Sequence, residues 1–131
     1  MDLIVYVVVA VIIVGLILFF SRRAVKGITL VSVQSVSDLL NESELLILDV
    51  RSVEEYAAGH LKKSKNIPVQ SLSLKIASLL DWKNKKVLVY CHSGGRSMAA
   101  SQMLKKSGFT KIYNMTGGVS AWVGAGNKLV K

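Results

Sequence analysis

The longest apolar segment of this 131-residue chain lies near its start, where Leu3 to Phe20 form 18 residues without a charged side chain. As a helix this run is roughly 27 Å long, close to the ~30 Å hydrocarbon core of a bilayer. A cleaved signal peptide and a buried core element are the alternatives, but no basic residue precedes the run and it is apolar all round. We therefore predict a transmembrane helix anchor over residues 1–21, with membrane contact through residues 3–20.

Basic residues lie only on the C-terminal side of this run. Arg22, Arg23 and Lys26 follow it, and no Lys or Arg precedes it. Because flanking segments rich in Lys and Arg stay in the cytoplasm, the sequence predicts a single-pass protein of the cell inner (cytoplasmic) membrane, with its C-terminal domain in the cytoplasm. Residues 22–28 are then a basic juxtamembrane linker, and residues 29–131 form one domain.

Shorter apolar runs alternate with amphipathic segments in the rest of the chain. Continuous apolar runs such as those at 44–50 and 86–90 are typical of strands that are covered on both faces. The pattern predicts strands over 28–33, 44–50, 66–68, 86–90 and 111–115, and helices around 38–40, 53–58, 71–80, 96–107 and 119–123. Because strands and helices alternate, we predict an α/β domain with a mostly parallel sheet and helices on both faces.

Capping residues predict where two of these helices begin. Ser35 and Ser37 are N-cap candidates for the first short helix. Ser52 and Glu55 form a capping box for the second, and Gly59 lies where a glycine commonly ends a helix. The second helix is therefore predicted between Ser52 and Gly59.

The candidate site is a short loop that follows the strand at 86–90. It begins at Cys91, the only cysteine, passes through Gly94 and Gly95, and reaches Arg96 as a helix starts. Backbone N–H groups in such a loop, next to a helix N-terminus, bind anions and favour a thiolate over a thiol. A lone cysteine at a strand end is usually a small buried hydrophobe, but the glycines and the arginine favour a catalytic nucleophile that handles an anionic sulfur or phosphorus compound.

Further residues are predicted to bind the substrate or to support the loop. The substrate-binding set is His92, Ser93, Gly94, Gly95, Arg96 and Ser97. The glycines let the backbone approach a ligand closely, the arginine offers a planar fork of donors, and Ser97 either donates to the sulfur or caps the helix. Asp49 and Arg51 are supporting residues; we expect a buried or half-buried ion-pair network rather than substrate contact, with Glu55 a candidate partner of Arg51.

Composition disfavours several function classes. The net charge is +9, and basic clusters such as Lys83, Lys85 and Lys86 suit a solvated surface or anionic lipid headgroups. No aromatic-rich basic strand accompanies them, so nucleic acid is not a predicted partner. One cysteine allows no internal disulfide and no cysteine-rich zinc site, so we predict no metal and a reducing compartment.

From about Ile28 to its end, the chain resembles a single rhodanese domain of the membrane-anchored bacterial type. The resemblance rests on motifs in the family's order: Leu48-Asp49-Val50-Arg51, Glu54-Glu55-Tyr56, Gly59-His60-Leu61, Asn66-Ile67-Pro68, the loop Tyr90–Ser97, and Gly117-Gly118 with Trp122. It implies a three-layer α/β/α fold around a five-stranded parallel sheet.

The resemblance also implies a sulfurtransferase that works through a Cys91 persulfide. The thiolate takes the outer sulfur of a donor such as thiosulfate, or of a persulfide, and a thiol or protein cysteine then accepts it. No cofactor is implied. One departure concerns the residue after the cysteine, which is often arginine in active rhodaneses and is His92 here. Neutral imidazole attracts anions less strongly than guanidinium does.

Two other function classes remain as alternatives to sulfur transfer. One is a membrane-tethered binding or scaffold module without enzymatic activity, which the intact cysteine, glycines and arginine disfavour. The other is a phosphatase or arsenate reductase, whose similar folds have five residues between cysteine and arginine. Four residues separate Cys91 from Arg96, and reaction geometry tolerates little misplacement. The loop length therefore favours sulfur transfer.

Overall fold

The computed structural model describes residues 2–21 and 27–131. In chain order the elements are α1 Leu3–Ser21, β1 Ile28–Val31, α2 Val33–Leu39, β2 Leu45–Asp49, α3 Val53–Ala58, β3 Lys65–Asn66, α4 Val69–Lys75, a 3-10 helix Ile76–Trp82, β4 Lys86–Tyr90, α5 Gly95–Lys106, β5 Lys111–Met115 and α6 Gly118–Gly124. Most of the predicted linker, including its three basic residues, lies outside the described residues.

The five strands form one sheet in the order β1-β5-β4-β2-β3, and neighbouring strands are parallel throughout. This confirms the prediction of a parallel five-stranded sheet. β4 lies at its centre, so the residue that follows β4 is at the middle of the carboxyl edge. Open α/β sheets bind ligands at this edge, and Cys91 is the residue placed there.

Side chains on alternate positions of the central strands pack into two cores. Val87, Val89 and Cys91 pack on the face covered by α4, the 3-10 helix and α5, whereas Leu88 and Tyr90 pack on the face covered by α2 and α6. The alternation follows from the two-residue repeat of a strand. The result is the expected three-layer α/β/α arrangement, with the cysteine side chain on the α5 side.

Element boundaries confirm most of the sequence pattern and correct part of it. β4 and β5 match their predicted ranges residue for residue. The N-cap of α2 is Ser32, whose side chain accepts a hydrogen bond from the Ser35 backbone N–H, so the predictions of Ser35 and Ser37 as N-caps are wrong. The helix predicted over 71–80 begins at Val69, after Pro68, and tightens into a 3-10 helix from Ile76 onwards.

The capping box of α3 is confirmed. Ser52 Oγ accepts a hydrogen bond from the Glu55 backbone N–H at 3.2 Å, and the Ser52 backbone N–H donates to Glu55 Oε1 at 3.4 Å. Gly59 follows α3 as its C-cap residue. This reciprocal pair holds the Glu55 carboxylate at the start of the helix.

The N-terminal apolar run forms α1, so the predicted helix is confirmed. Within residues 2–21 and 27–131, however, no helix has the length and apolar character needed to cross a bilayer. The spanning part of the prediction is therefore not supported by the structure.

Candidate active site

The start of α6 forms backbone hydrogen bonds with the cysteine loop, residues 91–97. The Val119 N–H donates to the Cys91 carbonyl at 2.9 Å, and the Ser120 N–H donates to the His92 carbonyl at 3.0 Å. Gly118, the residue before Val119, has a φ of +54°. A Cβ at Gly118 would overlap the carbonyl oxygens of Cys91 and His92. Only glycine allows this close approach, so Gly118 supports the loop.

The Cys91 sulfur faces the beginning of α5. Cys91 Sγ lies 3.0 Å from the Gly94 backbone nitrogen, which donates to it, and 3.4 Å from Ser97 Oγ. Ser97 Oγ accepts from the Cys91 thiol and donates to the Gly94 carbonyl at 3.1 Å. Gly94, at φ +122°, is the N-cap residue of α5 and makes the sharp turn. Ser97 therefore contacts the sulfur as an acceptor from the thiol, not as the predicted donor, and it does not cap α5, whose N-cap residue Gly94 forms no side-chain cap.

Two opposing effects act on the ionisation of Cys91. Burial is the largest single effect and by itself raises the pKa, because a thiolate loses hydration. The Ser97 hydroxyl and the backbone N–H groups of Ser97, Gly94 and Ser93 act in the other direction by hydrogen bonding to the sulfur. Their sum outweighs burial and lowers the pKa of Cys91 below its usual value. A thiolate is the form that attacks an electrophilic sulfur.

The Arg96 guanidinium does not direct all of its N–H donors into the loop. Its Nη1 lies 2.6 Å from Glu55 Oε1 and its Nη2 lies 2.9 Å from Glu55 Oε2, a bidentate ion pair between α5 and α3. The Arg96 hydrogen bond lowers the pKa of Glu55 to about 2, and the hydrogen bonds from Ser52 act in the same direction. Glu55 was missed as a site residue: its capping box was visible in the sequence, but its partner lies 41 residues away.

Asp49 and Arg51 lie in a buried ion-pair network, as the sequence predicts, and they pair with each other. Arg51 Nη2 lies 2.7 Å from Asp49 Oδ2 and donates also to the Gly59 carbonyl at 2.6 Å. Asn66 Nδ2 donates to the carbonyl oxygens of both residues. The expected pairing of Arg51 with Glu55 is wrong, because Asp49 already faces the guanidinium at the end of β2. The network ties β2 to β3 beside the cysteine loop.

The outer side of the loop is open. His92, Ser93 and Gly95 are exposed, and a Cβ at Gly94 or Gly95 would have no neighbouring atom within 4 Å. Cys91 itself is only 1% exposed. The structure therefore brings Ser93, Gly94 and Ser97 into hydrogen-bonding contact with the recessed sulfur. His92 lies outside this set, Gly95 is the first residue of α5, and Arg96 is paired with Glu55. Within the described residues, no group of three or more His, Cys, Asp or Glu side chains is arranged to hold a metal ion.

Comparisons with known proteins agree with this geometry. A family model for the rhodanese-like domain matches residues 32–125. The chain is 32% identical over 105 residues to a putative sulfur carrier protein of Bacillus subtilis, covering 79% of this chain and 56% of that protein. It spans between 21% and 60% of the length of eight curated relatives that it matches.

Solved structures give the same result. A human single-domain sulfurtransferase superposes with a TM-score of 0.65 at 27% identity, over 72% of this chain and 94% of that one. A thiosulfate sulfurtransferase of Pseudomonas aeruginosa superposes with a TM-score of 0.69 at 28% identity, over 79% of this chain and 20% of that one. Fold, cysteine loop and family model agree, and the chain belongs to the rhodanese-like domain family.

Proposed function

We propose that this protein is a sulfurtransferase that carries sulfane sulfur as a persulfide on Cys91, from a donor such as thiosulfate to a thiol or a protein cysteine. The observation that carries the proposal is the recessed Cys91 sulfur, 3.0 Å from the Gly94 N–H, at the centre of the carboxyl edge. The sulfurtransferases and the putative sulfur carrier among its relatives support the same chemistry.

The geometry supports a two-step transfer. In the first step the Cys91 thiolate forms a bond to the outer sulfur of the donor, the donor S–S bond breaks, and sulfite departs with the bonding electrons when the donor is thiosulfate. In the second step an acceptor thiolate bonds to that outer sulfur and Cys91 leaves as the thiolate. Loop N–H groups, such as that of Gly94, are placed to stabilise the negative charge on sulfur in both steps.

The test is intact-protein mass spectrometry of the chain before and after exposure to sulfur donors. Because Cys91 is the only cysteine, a gain of one sulfur atom that cyanide removes reports this residue alone. We expect the gain in the wild type and its loss in Cys91→Ser. The matched control is Ser120→Ala, which removes an exposed hydroxyl outside the loop and keeps the nucleophile.

Two outcomes would overturn the proposal. The first is a folded wild-type protein with a free thiol that takes up no sulfur from thiosulfate or from persulfides, which would favour a binding module, especially if Cys91→Ser still retained a partner protein. The second is hydrolysis of a phosphate ester or reduction of arsenate without sulfur uptake, which would favour the phosphatase or arsenate reductase alternative.

We also propose, from the sequence, that residues 1–21 hold the domain at a membrane, with the domain on the cytoplasmic side. In α1 the large apolar side chains from Leu3 to Leu18 are 41% to 78% exposed, and apolar surface of this extent is unfavourable in water. Membrane fractionation of the full chain and of a variant without residues 1–21 tests this. Alkali-resistant sedimentation of the full chain alone supports attachment, whereas equal behaviour of the two proteins contradicts it.

A further inference from the structure

The Arg96–Glu55 ion pair changes the charge that a substrate meets at the cysteine loop. Arg96 is the only Arg or Lys between residues 91 and 97, so it is the one side chain of the loop with a permanent positive charge. Both terminal nitrogens of its guanidinium contact the Glu55 carboxylate, at 2.6 and 2.9 Å. The full positive charge on this side of the loop is therefore compensated by a full negative charge in direct contact.

Glu55 is held in this position by its own helix. Ser52 Oγ lies 3.1 Å from Glu55 Oε1, and the capping box fixes the carboxylate against the start of α3. The lowered pKa of Glu55, about 2, keeps the carboxylate ionised over the whole pH range in which thiols transfer sulfur. The compensation is thus a constant property of the folded site.

What remains to attract an anion is the set of backbone N–H dipoles that surround the sulfur, together with His92. An imidazole attracts anions less strongly than an unpaired guanidinium does. Thiosulfate brings two negative charges and releases sulfite, which also carries two. The persulfide group of an organic donor carries at most one negative charge, and it releases a thiolate, which carries one. A loop whose one permanently charged side chain is paired stabilises the second charge poorly.

We propose that Glu55 is a specificity-determining residue that, by compensating Arg96, makes the site prefer organic persulfides of one negative charge over thiosulfate as sulfur donors. This inference rests on the proposed function and names its donor class. The Cys91 thiolate bonds to the outer sulfur of R–S–SH, the S–S bond breaks, and R–S⁻ leaves with the bonding electrons, so no oxidant or reductant is required. The 1% exposure of Cys91 also suits a donor whose outer sulfur ends a slender chain.

The test compares two donors on the full-length protein, with Glu55→Gln as the variant. Glutamine keeps the capping box and an oxygen acceptor for Arg96 but removes the negative charge. The measured quantity is the ratio of kcat/KM for thiosulfate to kcat/KM for cysteine persulfide. We expect this ratio to rise about tenfold in Glu55→Gln, since the negative charge that compensates the guanidinium of Arg96 is removed. The thiosulfate reaction of the variant should also become more sensitive to added salt.

Glu54→Gln is the matched control, because Glu54 lies in the same first turn of α3 and is exposed. It removes the same charge without touching Arg96, and we expect a ratio close to that of the wild type. An unchanged or lower ratio in Glu55→Gln, or an equal rise in Glu54→Gln, would overturn the inference while leaving sulfur transfer intact. Absence of sulfur uptake from both donors in the wild type would instead overturn the proposed function and the inference with it.

Discussion

Two arginine–carboxylate pairs lie beside the cysteine loop, and they differ mainly in their exposure to water. The side chains of Arg51 and Asp49 are 5% and 0% exposed, whereas those of Arg96 and Glu55 are 37% and 35% exposed. Both pairs join a guanidinium to a carboxylate through more than one hydrogen bond. The buried pair joins residues two positions apart, and the exposed pair joins two different helices.

Because the two pairs differ in burial, they have different roles in the protein. A buried ion that loses its partner keeps an uncompensated charge in a medium that solvates it poorly, so the Asp49–Arg51 pair is tied to folding. An exposed ion that loses its partner is solvated by water. The Arg96–Glu55 pair can therefore be altered with little loss of stability, and its consequences concern the charge offered to a substrate.

The largest effect is expected when the buried pair is broken. Arg51→Ala should lower the free energy of unfolding by ~3–5 kcal/mol, because Asp49 is left buried and unpaired and the Gly59 carbonyl loses its donor. Urea unfolding followed by tryptophan fluorescence measures this. Arg96→Ala is the comparison variant and should cost less than about 1 kcal/mol. Equal losses of unfolding free energy in Arg51→Ala and Arg96→Ala would mean that burial does not determine how much each pair contributes to stability.

A smaller effect is expected from a change at the buried side of the loop that leaves both ion pairs intact. Gly118→Ala places a Cβ on the Cys91 and His92 carbonyl oxygens at φ +54°, and we expect a loss of ~1–3 kcal/mol. The shift of the loop should also change the rate at which Cys91 is alkylated. Gly124→Ala is the control, because a Cβ there meets no atom within 4 Å. A stable Gly118→Ala protein with a normal alkylation rate would contradict the supporting role of α6.

The smallest effect on stability is expected for Glu55→Gln, at less than about 1 kcal/mol near neutral pH. Its pH dependence has a definite sign. The folded-state pKa of Glu55, about 2, is below its usual value of 4.5, so its contribution is complete above about pH 4.5 and is lost as the pH falls towards 2. The stability difference between wild type and variant should shrink over that window. A carboxylate chemical-shift titration of Glu55 by NMR checks the same pKa, and a midpoint near 4.5 would contradict the pairing.

Some strands and helix caps could be predicted from the sequence, and others could not. The continuous apolar run at 86–90 predicted β4 to the residue, because strands covered on both faces are typically apolar along their length. The capping box of α3 was predicted because both of its hydrogen bonds join residues three positions apart. The N-cap of α2 was not, because Ser32, Ser35 and Ser37 carry the same cap-forming hydroxyl and only the entry of the chain from β1 selects Ser32.

The sequence by itself determined the alternation of strands and helices, the cysteine at the end of a buried strand and the glycine turn that follows it, because these depend on side-chain periodicity and on local backbone freedom. The tertiary structure alone decided which carboxylate each arginine meets. Asp49 and Glu55 are both close to Arg51 in the sequence. The turn after β2 directs the Arg51 guanidinium to Asp49. Arg96 meets Glu55 only because the parallel sheet brings the starts of α3 and α5 to the same edge, and that contact is made between residues far apart in the chain.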